Sequence, residues 1–218
     1  MEARLLGKAY LGLIVVAVSV AVLAGCGSGQ RTGLAHGRDV FKTCEPCHGT
    51  NGAGNLALRA PAIAGLPEWY VANELNKFQK NIRGAHPDDE EGARMRPMAR
   101  TLYHPGDLQA VAAYVASLPR VSVPPTMNGD RTVGQQRYTA ICVACHGPDG
   151  KGNQAMNAPP LPQQADWYLV AQLEKFKTGM RGASALDMEG SQMKAMSATL
   201  LDTTAMHDVV AYIKSLPN

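Results

Sequence analysis

Residues 44–48 read Cys-Glu-Pro-Cys-His, and residues 142–146 read Cys-Val-Ala-Cys-His. Shifting the sequence by 98 positions brings the two stretches together, and the overlay runs without a gap from Cys44 to Pro119. CHGTNGAGN falls over CHGPDGKGN, Trp69-Tyr70 over Trp167-Tyr168, and EGARMRPMARTL over EGSQMKAMSATL. Ahead of the first cysteine the register slips by one residue, so that Gly37 and Phe41 match Gly134 and Tyr138. Self-similarity of this density marks a duplicated domain. The copies are expected at residues 36–119 and 132–218. Residues 120–131 join them, and Pro124-Pro125 predicts an extended, semi-rigid strap there.

Both copies read as all-α. Val71, Leu75, Phe78 and Ile82 follow the spacing of an amphipathic helix, as do Leu169, Leu173, Phe176 and Met180. Asp166 is placed to N-cap the second of these helices. Leu108, Val111, Val115 and Leu118 share one face of a last helix, and Met206, Val209, Ile213 and Leu216 do so in the other copy. Pro119 and Pro217 stop these helices. The intervening segments are rich in Gly and Pro and show no convincing alternating strand. A domain of about 85 residues built on three helices buries little apolar surface, so a large apolar body is expected at the centre of each copy.

Charge excludes some partners. Across 218 residues, 21 Lys and Arg stand against 18 Asp and Glu. Residues 36–119 hold nine of each sign and residues 132–218 seven of each. Nothing resembles the basic stripe of a nucleic-acid binder. Asp88-Asp89-Glu90-Glu91 reads as a solvated loop, with a docking patch as the alternative.

Of five cysteines, Cys26 is left over from the two pairs. It follows an uncharged apolar run over Ala9–Gly25. Leu23-Ala24-Gly25-Cys26 resembles the lipobox of bacterial lipoprotein signals. That resemblance implies a signal peptide over residues 1–25 and a diacylglyceryl group on the Cys26 sulfur. Residues 26–35 then form a flexible tether spanning about 17 Å. An uncleaved anchor helix is the other reading of this run. Both readings hold the protein on a bacterial membrane, facing the periplasm or outer side.

Cys-x-x-Cys-His is the attachment signal for c-type haem. The thiols of Cys44 and Cys47, and of Cys142 and Cys145, add to porphyrin vinyl groups as thioethers. His48 and His146 each supply one axial nitrogen to iron. Two covalently bound haem c groups are therefore expected. Two zinc-binding thiol pairs usually lie closer together and need no histidine after each. A redox disulfide would need a βαβ setting that is absent. Met95 and Met98, and Met193 and Met196 at matching positions, are candidates for the second axial bond. A methionine can also be core filler.

On these motifs each copy resembles a class I cytochrome c domain, a small helical fold wrapped around haem. The pair resembles the dihaem cytochrome c4 family over nearly all of Gly37 to Pro217. In that family the ligating methionine, carried on a C-terminal loop, lies seven positions before the leucine that precedes the last helix. Leu102 and Leu200 thereby select Met95 and Met193. One extra residue between that leucine and the helix tyrosine departs from the pattern and keeps Met98 and Met196 open. The resemblance further implies that the Pro61 and Pro159 carbonyls orient the ligating histidines. It implies that Arg83 and Arg181 pair with haem propionates. Trp69 and Trp167 contact a propionate through the indole N–H or serve in helix packing. His36, His86, His104 and His207 do not recur between copies and read as surface or capping residues.

The expected function is single-electron transfer between respiratory donors and a terminal oxidase or reductase, by a carrier rather than an enzyme. Its partners are then redox proteins and, through the N-terminal lipid, the membrane. One alternative is a fixed electron-transfer subunit of a dehydrogenase or oxidase complex. Another is a dihaem peroxidase, which needs an iron with an open position.

Overall fold

The computed structural model describes residues 33–217. The expected signal segment, Cys26 and most of the expected tether lie outside them. The first copy holds α1 (Leu34–Phe41), α2 (Glu45–His48), α3 (Glu68–Gln79), α4 (Glu90–Arg100) and α5 (Asp107–Ser117). The second holds α6 (Arg131–Arg137), a π-helical turn (Tyr138–Cys142), α7 (Val143–His146), a short 3-10 turn (Gln154–Met156), α8 (Asp166–Lys177), α9 (Met188–Ala198) and α10 (Thr203–Ile213). Among the described residues, β pairing is confined to two isolated bridges, Asn55–Ala60 and Asn153–Ala158. None of the described helices is long and apolar enough to cross a membrane.

In each copy the first helix packs on the last, α1 on α5 and α6 on α10. Glycine makes the contact. A Cβ on Gly37 would lie 2.1 Å from the Ala110 carbonyl oxygen, and one on Gly134 would lie 1.9 Å from that of Asp208. Backbone therefore meets backbone at both crossings. Next to them sit Phe41 and Tyr114, with rings 5.3 Å apart, and Tyr138 and Tyr212 at 5.4 Å. The Tyr138 hydroxyl donates to the Gly147 carbonyl at 2.7 Å. Phe41, Leu102, Val111 and Val115 form the first core. Tyr138, Leu169, Met206, Val209 and Ile213 anchor the second.

The one-residue slip ahead of the cysteines has a structural form. Between the crossing glycine and the first cysteine, the second copy carries one residue more than the first. The π-helical turn over Tyr138–Cys142 absorbs it, since a π turn takes one residue more than an α turn. The first copy instead ends α1 at Phe41 and reaches Cys44 through a turn.

Several expectations need correction. The central helices end at Gln79 and Lys177, so Ile82 and Met180 lie beyond them. The candidate methionines stand on helices, α4 and α9, where a loop was expected. Asp89 and Asp187 cap these helices, their carboxylates accepting from the N–H of Gly92 at 3.0 Å and Gly190 at 3.1 Å. Asp166 does not cap α8 from outside. It is the first helical residue, and it accepts from the backbone N–H groups of Thr126, Met127 and Trp167 and from the Thr126 hydroxyl. The strap is extended, and this buried carboxylate fastens its middle to the second copy.

Candidate functional site

Each copy encloses an apolar-walled cavity, of about 200 Å³ in the first and about 160 Å³ in the second. Cys44, Cys47 and His48 line the first, and Cys142, Cys145 and His146 the second. The two thiol pairs thus open into different cavities, which rules out a zinc site shared between them. The Cys-x-x-Cys-His stretch forms one helical turn in each copy, which stacks the second thiol and the imidazole above the first.

The histidines are oriented by backbone. His48 Nδ1 lies 2.9 Å from the Pro61 carbonyl oxygen, and His146 Nδ1 lies 2.9 Å from that of Pro159. With Nδ1 donating, the Nε2 lone pair is free to bind a metal. Burial pushes both imidazoles below the usual histidine range, outweighing the carbonyl contact, and so favours the neutral ligand form. Burial likewise raises the Cys44 and Cys142 thiols to about 11.

Both members of each methionine pair line their cavity. They differ in exposure. Met95 and Met193 are half-buried, whereas Met98 is 39% and Met196 43% exposed.

Arg83 and Arg181 stand at the junction of the two copies. The Arg83 guanidinium lies 4.6 Å from the Phe78 ring centroid, and that of Arg181 lies 4.3 Å from Phe176. Their terminal nitrogens are engaged across the junction. Arg83 donates to Glu74, to the Tyr168 hydroxyl at 3.0 Å and to Gln172 at 3.1 Å. Arg181 donates to Gln172 at 2.7 Å and to Glu74 at 3.0 Å. The Nε of each arginine is buried without a partner. Trp167 lines the cavity of the first copy, beneath the Arg59 guanidinium at 5.7 Å, while Trp69 lines neither of these two cavities.

Around this centre the interface is nearly symmetric. Lys77 donates to Asp187 at 2.6 Å, and its counterpart Lys175 donates to Asp89 and, at 2.7 Å, to Glu91. Lys77 also reaches Glu189 at 3.4 Å. Asp89 and Asp187 are 1% and 2% exposed. The acidic run at 88–91 is therefore not a solvated loop throughout. Asp89 and Glu91 dock one copy on the other. His36 is only partly exposed, and its Nε2 lies 2.7 Å from the buried Asp107 carboxylate.

The residues present suit a haem in each cavity. Apolar walls accept a macrocycle, a thiol pair and an oriented imidazole share each cavity with methionine sulfur, and each buried arginine Nε is left for an anionic group. Tyr70, Glu74, Gln164, Tyr168 and Gln172 line both cavities, so the two sites share a wall. The shared wall escaped sequence reading. Its signal was nonetheless present, as pairs of charged residues repeated at the 98-residue shift, Lys77 with Lys175 and Asp89 with Asp187.

Comparison with known proteins agrees with this geometry. The sequence profile of the family described as Cytochrome c matches residues 34–119 and again 132–217. The chain is 29% identical over 194 residues to the thiosulfate dehydrogenase electron acceptor of Stutzerimonas stutzeri, covering 84% of this chain and 86% of that protein. It is 31% identical over 180 residues to the Cbb3-type cytochrome c oxidase subunit FixP of Bradyrhizobium diazoefficiens, covering 75% of this chain but only 58% of that subunit. The crystal structure of reduced recombinant cytochrome c4 from Pseudomonas stutzeri superposes with a TM-score of 0.66 at 24% identity, over 85% of this chain and 100% of that one. At that identity the likeness speaks for the fold.

Proposed function

Since the chain belongs to the cytochrome c family, as a dihaem protein of the c4-like kind, we propose that it carries single electrons between redox proteins through two haem sites that share a wall. Two covalently bound haem c groups supply one Fe(III)/Fe(II) couple each. Cys44, Cys47, Cys142 and Cys145 would hold them, and His48 and His146 would each give iron a nitrogen ligand. Met95 and Met193 would give the sulfur ligand. Their lower exposure and their distance from Leu102 and Leu200 favour them over Met98 and Met196. Methionine sulfur favours the ferrous state, which suits delivery toward a high-potential acceptor. With two protein ligands on each iron, no coordination site would be left for a substrate.

The observation that carries this reading is the wall common to both cavities. It gives an electron a short path from one site to the other within one chain. Donor and acceptor are redox proteins of the kind named among the relatives, a dehydrogenase on one side and an oxidase on the other. Cys26 tethers the molecule by lipid to the periplasmic or outer face of a bacterial membrane, a reading that rests on Leu23-Ala24-Gly25-Cys26.

A second reading is the fixed subunit of an oxidoreductase complex. Large apolar residues exposed in the second copy, Leu186 at 77%, Met188 at 73% and Leu201 at 81%, favour it. Copurification with a larger enzyme from the native membrane separates the two.

Potentiometric titration of the purified holoprotein, followed by absorbance, tests the carrier reading. Two reversible one-electron couples per chain are expected, with neither ferric site binding cyanide quickly. One site that binds cyanide at once and turns over peroxide would replace the carrier with a peroxidase.

A further inference from the structure

The interface obeys a pseudo-twofold rule and breaks it at its centre. Lys77, Tyr70, Arg83 and Asp89 recur unchanged at the 98-residue shift as Lys175, Tyr168, Arg181 and Asp187, and Lys77 meets Asp187 as Lys175 meets Asp89. Glu74 does not. Its counterpart is Gln172, nearly the same in shape and lacking the charge. Both arginines bind both residues.

Charge explains why the pair is mixed. Two glutamates here would set two carboxylates one guanidinium apart in a desolvated site, where they repel each other. Two glutamines would leave two guanidinium ions facing each other with no carboxylate between them. One of each gives the two arginines a single shared anion. Burial pushes the Glu74 carboxyl up, but Arg83, Arg181 and Lys77 outweigh it and hold it at about 2, so the charge is permanent at working pH. Glu74 is buried and lines both cavities, so this charge stands in the wall of both haem sites.

We propose that Glu74 is a fixed negative charge at the pseudo-twofold centre that lowers the reduction potential of both haems, and that Gln172 keeps this charge single. The inference rests on the dihaem carrier reading. A nearby anion favours Fe(III) over Fe(II), because the oxidised site carries one more positive charge. At the effective dielectric of a partly buried site, one charge on the order of 10 Å away alters a one-electron equilibrium about tenfold, or about 59 mV.

The test is potentiometric titration at pH 7 of the wild-type holoprotein, Glu74→Gln, Gln172→Glu and the double swap, with a urea unfolding curve for each. Glu74→Gln raises both midpoints and Gln172→Glu lowers both. The double swap restores one central carboxylate and returns both midpoints toward wild type. If the single variants shift the unfolding curve but leave both midpoints in place, Glu74 is structural only and the proposal fails. It fails as well if the double swap does not restore the midpoints. A wild-type protein without two one-electron couples would instead remove the carrier reading beneath it.

Discussion

At the scale of single residues, Asp166 and Met95 carry the most. Asp166 receives four donors and is 1% exposed. Burial pushes its carboxyl up, yet the N–H groups of Met127 and Thr126 more than offset this and hold it below the usual aspartate range. Asp166→Ala would leave the strap's N–H groups without an acceptor, at about 1–3 kcal/mol. The melting midpoint by calorimetry should fall by roughly 2–10 °C for a chain of this size. The haem spectrum should stay unchanged, because Asp166 lines neither of the two cavities described. Met95→Ala should abolish the methionine-to-ferric-iron charge-transfer band of one haem, and Met98→Ala should keep it. The reverse pattern would move the axial role to Met98.

Among the elements, the glycine crossings are the most exacting. Gly37→Ala must part α1 from α5, since a methyl group cannot occupy a site 2.1 Å from a carbonyl oxygen. A cost of about 3 kcal/mol is expected, read as a lower urea midpoint, with Gly134→Ala behaving alike. The π turn makes the opposite prediction. Deleting the exposed Thr139 returns the second copy to the spacing of the first. Both haems should remain attached, as intact mass would show. Much of this level was legible beforehand. The spacing of Val111 and Val115, and of Val209 and Ile213, is the spacing of a buried stripe, and those residues are buried. Helices α4 and α9 were missed because their residues are polar, with Pro97 inside one, and an N-terminal aspartate cap rather than an apolar stripe defines their start. The Cys-x-x-Cys-His stretches could be read because their chemistry is local. The shared wall was not read, because it depends on how one copy docks on the other, and its trace in the sequence, the repeated Lys77 with Lys175 and Asp89 with Asp187, names the residues without naming their partners.

Taken whole, the molecule is two copies locked by buried charge. Glu74 has its carboxyl lowered to about 2 in the folded state, against an ordinary value near 4.3 when unfolded. A lowered carboxyl stabilises the fold above its unfolded value, and that stability is lost as pH falls toward the folded one. Glu91, facing Lys175 and Arg59, is held at about 2 as well, though its greater exposure weakens its share. The contribution of these carboxylates to thermal stability should therefore be level above about pH 4.5 and fall between there and about pH 2. Glu74→Gln should flatten that decline, and a loss beginning near pH 6 would point to histidine instead. On the proposed function, the same locked interface would let electrons pass between the two sites of one chain. The most direct measurement is flash reduction of one haem in the oxidised holoprotein, following equilibration with the other at several protein concentrations. The account predicts an equilibration rate independent of concentration. A rate proportional to concentration would mean that electrons pass between molecules, and the shared wall would have no part in function.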